Sequence, residues 1–180
     1  SDFIKLRAEA DSSALKKKFS DNDIYKKNLP SNTSSRSLYN IAEKIRYEAL
    51  GGQMLKGIEK NFQQNYSHII KTKKKDQLKT KEDVPITEAF ELYMLKNFHQ
   101  IKLNLLTTKM LNFWEKDFEQ SLEKHKKFLQ DNLENQDTYS SRFSQILEEM
   151  DIFQSEENEE KKEENQDQGQ DNPSNDDQDK

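Results

Sequence analysis

The side chains that could bind a metal ion are few and far apart in this 180-residue sequence. Its three histidines, His68, His99 and His125, include no pair four residues apart, the spacing that places two zinc ligands on one helix face. The chain has no cysteine, which excludes disulfides, thiolate zinc sites and cysteine nucleophiles. Counted from Asp167, a calcium loop would need glycine at position 172, where the chain has Asn172. We therefore expect this chain to bind no metal ion.

Motifs for nucleotide chemistry and for nucleophilic catalysis are also missing from the sequence. No G-x-x-x-x-G-K-[ST] loop occurs, and no serine lies in a glycine-flanked elbow. The spacing of serine, histidine and aspartate supports no catalytic triad. The sequence thus predicts no catalytic residues, no cofactor-binding residues and no ATP binding by this chain alone.

A lysine-rich segment, residues 71–81, is the one feature that points to nucleic acid. Its lysines are Lys71, Lys73, Lys74, Lys75, Lys79 and Lys81. Such a cluster could contact phosphates, yet arginine is rare and no nucleic-acid recognition motif accompanies it. A solvated loop is the interpretation that we favour, and a weak nucleic-acid contact remains the alternative.

Three charged residues lie close together in a segment with helical periodicity. Glu43 and Arg46 are three residues apart, which on a helix is typical of a surface ion pair. Glu48 lies beside the apolar stripe of the same segment. We expect either a partly desolvated Glu48 that needs a basic partner or a rim residue in contact with water, since buried carboxylates are rare.

The composition predicts an all-α protein, a helical bundle of about five or six helices followed by a disordered acidic tail. Only 31% of the residues are hydrophobic and 35% are charged, and there are only 4 glycines and 3 prolines. A small core suits helices because each needs only one apolar stripe, and a β-rich fold would need more turn residues. The predicted helices are Asp2 to about Ser20, Arg36 to Leu50, Leu55 to about Ile69, one with Pro85 in its first turn, Thr108 to Leu129, and Thr138 to Ile152.

Helix ends and faces follow from residue types. In the first helix the apolar stripe is Phe3, Leu6, Ala10 and Ala14, at spacings of three and four. Ser34 or Ser35 is the expected N-cap of the second helix and Asp137 that of the last, which we expect to pair with the fifth as an antiparallel hairpin.

Three glycines, Gly51, Gly52 and Gly57, fall within seven residues. Each weakens a helix interior by about 1 kcal/mol relative to alanine. They therefore indicate either a helix break at Gly51–Gly52 or the close approach of a second backbone.

The C-terminal segment differs in composition from the rest of the chain. Residues 155–180 contain 11 acidic residues and three lysines, a net charge of −8, so the remaining residues carry +3 of the total −5. Hydrophobic residues are absent after Phe153, and such a segment cannot offset its ordering entropy by burial. We therefore predict a helical domain at 1–153 and a disordered acidic linker at 154–180.

Targeting signals give only a coarse expectation of location. The sequence has neither a charged region followed by an apolar one at its start nor an apolar run long enough for a membrane. Together with the lack of cysteine, this favours the cytoplasm. Because the chain begins at Ser1 and ends in low-complexity sequence, we expect it to be a piece of a longer protein.

The segment from Glu43 to Phe62 resembles the CobT family, a subunit of aerobic cobaltochelatase. The matching positions are Glu43, Arg46, Glu48, Ala49, Gly51, Met54, Gly57 and Asn61. Upstream, Arg7 to Asp11 and Ala14-Leu15 resemble a second family stretch; downstream, Trp114, Gln136, Phe143 and the run from Leu147 to Asp151 occur in the family's order. An acidic linker follows in the family too, so the resemblance spans nearly the whole chain.

The resemblance implies a scaffold and coupling role in cobalamin biosynthesis. CobT-like proteins assemble with the AAA+ subunit CobS into a hetero-oligomeric ring that acts on CobN, which inserts cobalt into hydrogenobyrinic acid a,c-diamide. ATP and magnesium would be used by CobS, and this chain would be a non-catalytic part of a nitrogen–metal ligase. The family's C-terminal integrin-type metal-binding domain is absent up to Lys180.

The resemblance also supplies a candidate interface, namely Glu43, Arg46, Glu48, Gly51, Met54, Gly57 and Asn61. An internal helix–helix contact at the glycines is the competing interpretation. The alternative function is a stand-alone helical protein-interaction module with a weak nucleic-acid contact at the lysine-rich segment. We expect no membrane contact.

Overall fold

Helices make up most of the part of the chain whose structure is described. The computed structural model describes residues 2–150, which contain α-helices and two short 3-10 turns but no β-strand. The helices are α1 Asp2–Phe19, α2 Asn22–Lys27, α3 Thr33–Met54, α4 Lys56–Thr72, α5 Ile86–Phe98, α6 Leu105–Asn112, α7 Glu115–Leu122, α8 Lys126–Asp131 and α9 Gln136–Glu149. The 3-10 turns cover Lys81–Asp83 and Glu123–His125. The predicted all-α class is confirmed.

Helix α3 is the central element of the bundle. It packs against α1, α4, α5 and α9. Leu38, Ile45 and Leu50 are buried on it as an apolar stripe requires, and so are several polar residues between them. A helix enclosed on several sides must satisfy those polar groups within the protein, which is what makes the site on α3 unusual.

An aromatic cluster joins α5, α7 and α9 on the other side of the core. Phe90 meets both Phe118 and Phe143 edge to face, with ring centroids 5.4 and 6.1 Å apart. Tyr93 and Tyr139 extend the cluster at either end. Edge-to-face pairs stabilise a core beyond the area that they bury, so these contacts help to fix α5, α7 and α9 relative to one another.

The predicted inner face of α1 is wrong. Phe3 and Leu6 are 70% and 64% exposed, and Ala10 and Ala14 are exposed as well. The helix instead buries Ala8 and Leu15.

The physical reason is that polar residues share the inner face of α1. Asp11 accepts a hydrogen bond from the Asn61 side-chain amide at 2.7 Å, and the Ser12 hydroxyl donates to Glu48 at 3.4 Å. A search for apolar periodicity does not detect a face whose inner positions include polar pairs.

Of the two alternatives for the glycines, the helix break at Gly51–Gly52 is wrong. Helix α3 continues to Met54, and the turn falls at Leu55, whose backbone N–H donates to the carbonyl of Gly51 at 3.0 Å. Gly51 is buried against α1. Close packing, rather than a kink, accounts for this glycine.

The predicted fifth helix, Thr108 to Leu129, is divided into α6, α7 and α8. Breaks lie at Phe113–Trp114 and at the 3-10 turn Glu123–His125. The Trp114 indole donates to the Val84 carbonyl at 3.0 Å, and Leu129 rather than Phe128 becomes fully buried after the second break. The predicted hairpin of two long helices is therefore wrong in its first member, which is three short helices, of which α7 packs against both α5 and α9.

Helix caps differ from the predicted ones. Asn32 caps α3 by accepting from Ser35 N–H at 3.0 Å, and Asn135 caps α9 by accepting from Thr138 N–H at 3.0 Å. Helix α2 was not predicted, because it is six residues long and too short for a periodic pattern. Asparagine is as good an N-cap as serine or aspartate, so α3 and α9 begin at earlier residues than predicted.

Two further predictions concern the C-terminal segment and membrane-spanning helices. The predicted disordered linker at 154–180 lies outside the described residues, as does the end of the predicted last helix at Ile152. Within residues 2–150, none of the helices combines the length and apolar character needed to cross a membrane.

Candidate functional site

Arg46 lies at the centre of the molecule and not on its surface. Its side chain is fully buried, and its guanidinium donates to the carbonyl of Leu133 at 3.0 Å and to that of Phe19 at 2.7 Å. These carbonyls belong to the α8–α9 connection and to the end of α1. A single side chain of α3 thus joins segments that are distant in sequence.

Glu43 is the charged partner of Arg46 in this interior. Its Oε2 lies 3.5 Å from Nε of Arg46, an ion pair whose atoms are not aligned for a hydrogen bond, and its Oε1 accepts from the Ser140 hydroxyl of α9. Burial raises the pKa of Glu43, and Arg46 and Ser140 partly offset that effect. The predicted surface ion pair is therefore wrong: the pair is internal because α9 covers it.

Glu48 is a second buried carboxyl group, five residues further along α3. It is 1% exposed, and it accepts hydrogen bonds from the Tyr66 hydroxyl of α4 and the Ser12 hydroxyl of α1. Burial raises its pKa to about 7, against the opposing effects of Lys44 and these two hydroxyl groups. Both the predicted water-exposed rim position and the predicted basic partner are wrong, since two hydroxyl groups satisfy this carboxyl.

His99 lies near Glu48, at the end of α5. Both line a cleft of about 410 Å³ between α3, α4, and the α5 and α8 ends, together with Phe62, Gln63 and Leu133. Burial lowers the pKa of His99 to about 4, so its imidazole is neutral near pH 7. Its Nε2 atom is buried and has no hydrogen-bond partner within residues 2–150. The cleft thus combines a neutral imidazole with a carboxyl that titrates near neutrality.

Gly51 and Asn61 hold α1 against the α3–α4 pair. A Cβ added at Gly51 would stand 3.0 Å from Cγ of Leu15 and closer still to both of its methyl groups. Asn61 on α4 binds Asp11 on α1, as described above. Gly51 therefore makes room for a side chain of this chain's own α1, and its nearest neighbours are not atoms of a second backbone.

Met54 and Gly57 are the candidate residues that the structure leaves on the surface. Met54 is 56% exposed, as is its neighbour Leu55, and a Cβ added at Gly57 would meet nothing within 4 Å. We call Met54, Leu55 and Gly57 the α3–α4 corner. The seven candidates thus divide into five that join helices and two that lie on this exposed corner.

The lysine-rich segment is partly neutralised by the domain itself. Lys73 pairs with Glu88 at 3.9 Å and Lys81 with Asp117 at 2.6 Å, and Lys81 also lies 4.2 Å from the centre of the Trp114 ring. The Lys75 ammonium donates to the Asp83 carbonyl at 3.2 Å. Half of the six lysines therefore hold the loop in place.

Sequence reasoning missed the hydroxyl partners of the two buried glutamates. Tyr66 and Ser140 come from α4 and α9, 18 and 97 residues from Glu48 and Glu43. One signal was present in the sequence: Tyr66 lies four residues after Phe62, at the spacing of one apolar helix face, and a buried tyrosine hydroxyl needs a hydrogen-bond partner. Ser140 gave no such signal.

These features define an all-α domain in which charged and hydroxyl side chains join the central helix to its neighbours. Within residues 2–150, no group of three histidine or acidic side chains is arranged to hold a metal ion. The family model described as "Cobalamin biosynthesis protein CobT" matches residues 1–180. The chain belongs to the CobT family, and it is a protein of cobalamin biosynthesis. No curated protein and no solved structure gave a significant match to it.

Proposed function

We propose that this domain is the scaffold and coupling part of an ATP-dependent cobaltochelatase. It would assemble with a CobS-like AAA+ subunit into a ring and act on a CobN-like subunit that inserts cobalt into a corrin ring. Membership of the CobT family supports this proposal. Cobalt is the cargo of the complex in this scheme, and ATP and magnesium are used by the AAA+ subunit.

The α3–α4 corner is the place on the candidate surface where a partner would bind. The five internal candidates fix the geometry of α3 and α4, and the corner presents two exposed apolar side chains beside a glycine with open space around it. Exposed methionine and leucine beside a position without a side chain give a partner both apolar area and close backbone access. This arrangement is the observation that carries the proposal.

Gly57→Leu tests the corner without disturbing the fold. Because a side chain at position 57 enters open space, the variant should unfold at least as cooperatively as the wild type, and it should gain up to about 1 kcal/mol of helix stability. The added bulk should reduce co-purification with the AAA+ subunit at least tenfold. Ser141→Leu, an exposed change of similar size on α9, is the matched control and should leave co-purification unchanged.

A second variant tests the apolar part of the corner. Met54→Asp should weaken the same co-purification, whereas Leu105→Asp, at a leucine that is 93% exposed on α6, should not. If Gly57→Leu and Met54→Asp both fold and still co-purify at the wild-type ratio, the corner is not the interface. Cobalt insertion and ATP hydrolysis are expected only when all three subunits are mixed, and turnover by the purified chain alone would contradict the scaffold role.

A further inference from the structure

The outer face of α1 is apolar, although the inner face of the same helix already contacts α3 and α4. Phe3 and Leu6 are 70% and 64% exposed, and the small residues Ala10 and Ala14 continue the same stripe at helical spacing. We call these four residues the α1 stripe. Within residues 2–150 its two large side chains are among five large hydrophobic residues that are exposed. They are the two that share one helix face.

The α1 stripe has its large residues in one half and its small residues in the other. Phe3 and Leu6 come from the N-terminal half, and Ala10 and Ala14 from the C-terminal half. If two copies pack antiparallel, with a two-fold axis near residues 8 and 9, Phe3 faces Ala14 of the second copy and Leu6 faces Ala10. Large residues then fill the space that small ones leave, which is how helix surfaces interdigitate. A parallel pair would instead oppose large with large.

The charges of α1 favour the same antiparallel arrangement. Asp2 lies in its first turn, and Lys16, Lys17 and Lys18 lie in its last turn. An antiparallel pair places each aspartate beside the lysines of the other copy and opposes the two helix dipoles. A parallel pair would bring six lysines together at one end.

The acidic C-terminal segment of the chain does not suit the α1 stripe as an occupant. Residues 154–180 have no hydrophobic side chain with which to cover Phe3 and Leu6. A second copy supplies both the apolar area and the complementary charges from residues already described. We propose that this chain self-associates through an isologous, antiparallel pairing of the α1 stripe, a contact separate from the α3–α4 corner.

A contact made by one stripe of four residues is small, so the association should be weak. Such a contact buries less surface than a standard protein–protein interface, and we expect a dissociation constant in the range of roughly micromolar to millimolar. Sedimentation equilibrium of the whole 180-residue chain over a concentration series measures it. The mass should rise from 21.3 kDa towards about twice that value.

Leu6→Glu is the decisive variant, because it places a carboxylate in the stripe without touching the buried face of α1. It should stay at the monomer mass at every concentration, with helix content unchanged. Leu105→Glu is the matched control, since Leu105 is even more exposed but lies on α6. That control should self-associate like the wild type. A wild-type chain that stays monomeric, a Leu6→Glu variant that still associates, or a Leu105→Glu variant that loses association would each overturn the proposal.

The orientation can be tested separately because the chain has no cysteine of its own. Asp2→Cys and Lys17→Cys place single thiols at opposite ends of α1. In an equal mixture treated with a short thiol-specific cross-linker, the antiparallel pair should yield mainly mixed dimers of the two variants. Dominant cross-linking of each variant with itself would refute the antiparallel geometry. Loss of AAA+ subunit binding by Leu6→Glu, with a monomeric wild type, would instead assign the stripe to that partner.

Discussion

Arg46 is a buried cation, and three groups from different parts of the chain offset the free energy of removing its charge from water. Removing a charge from water costs several kcal/mol, and the nearby Glu43 carboxylate and two backbone carbonyls offset that cost. If Arg46 were shorter, Glu43 would lose its counter-charge and the two carbonyls would lose a hydrogen-bond donor. The side chain therefore acts as a structural junction between α3, the end of α1 and the connection to α9. A role at a partner's surface would require this interior to open.

Arg46→Ala should destabilise the domain by about 3–5 kcal/mol, because it leaves the Glu43 carboxylate buried without its counter-charge. Urea unfolding followed by circular dichroism measures the change. The double variant Arg46→Met with Glu43→Gln removes both charges and should recover part of the loss. An Arg46→Ala variant as stable as the wild type would show that the guanidinium is not the junction that its contacts indicate.

Glu48 should make the stability of the domain depend on pH. Its pKa is raised from 4.5 to about 7 by burial, so the folded state holds the proton more tightly than the unfolded state does. The stabilising effect of that proton is fully present below about pH 4.5 and is lost as pH rises through 7. The free-energy difference between pH 5 and pH 8 is about 2–3 kcal/mol for a shift of this size.

Glu48→Gln isolates this effect, because the amide keeps the shape of the side chain and does not titrate. Relative to the wild type, the variant should gain about 2–3 kcal/mol of unfolding free energy between pH 5 and pH 8. The comparison must be a difference between the two proteins. Burial lowers the pKa of His99 to about 4, so the contribution of His99 to the stability of the domain is lost as pH falls from 6.5 towards 4. This effect opposes that of Glu48 in the pH dependence of the wild-type protein. A pH-independent difference would mean that Glu48 is ionised in the folded protein.

At the scale of the helices, apolar periodicity succeeded where a helix has one buried face. In α9 and at its C-cap, the apolar residues that recur at helical spacing are all buried, namely Tyr139, Phe143, Ile146, Leu147 and Met150. Periodicity failed in α1, whose inner face includes Asp11 and Ser12. The burial of Glu43 and Arg46 was also not predictable, since the groups that satisfy Arg46 lie 27 and 87 residues away in sequence.

The crossing of α1 and α3 depends on Gly51, and a double-mutant cycle can measure that dependence. Gly51→Ala should be destabilising by about 1–3 kcal/mol, because the new methyl group displaces Leu15. In a Leu15→Ala background the same change should be neutral or stabilising by up to about 1 kcal/mol, since it then adds only helix propensity. Thermal unfolding of the four proteins gives the coupling energy. Additive effects would show that α1 does not press on α3 at Gly51.

At the scale of the whole molecule, opposite charges are separated along the chain. Residues 155–180 carry a net charge of −8, whereas the rest carries +3. Within residues 2–150, the buried hydrophobic cluster contains residues from α1 to Met150. The sequence after Phe153 has no hydrophobic residue that could extend it. The stability of the domain should therefore come from residues 1–153, and the acidic segment should act mainly through its charge.

Truncation after Phe153 should leave helix content and the melting temperature of the domain nearly unchanged. Any change should be a small electrostatic one that disappears in high salt, because screening at 1 M ionic strength shortens the reach of charge to about 3 Å. Melting of both proteins in low and high salt, followed by circular dichroism, makes the comparison. A matched control replaces the 11 acidic residues of the segment by their amides and should reproduce the low-salt effect of truncation. A fall of more than about 2–4 °C that persists in high salt corresponds to a loss of about 1 kcal/mol or more and would show that residues after Phe153 pack against the domain.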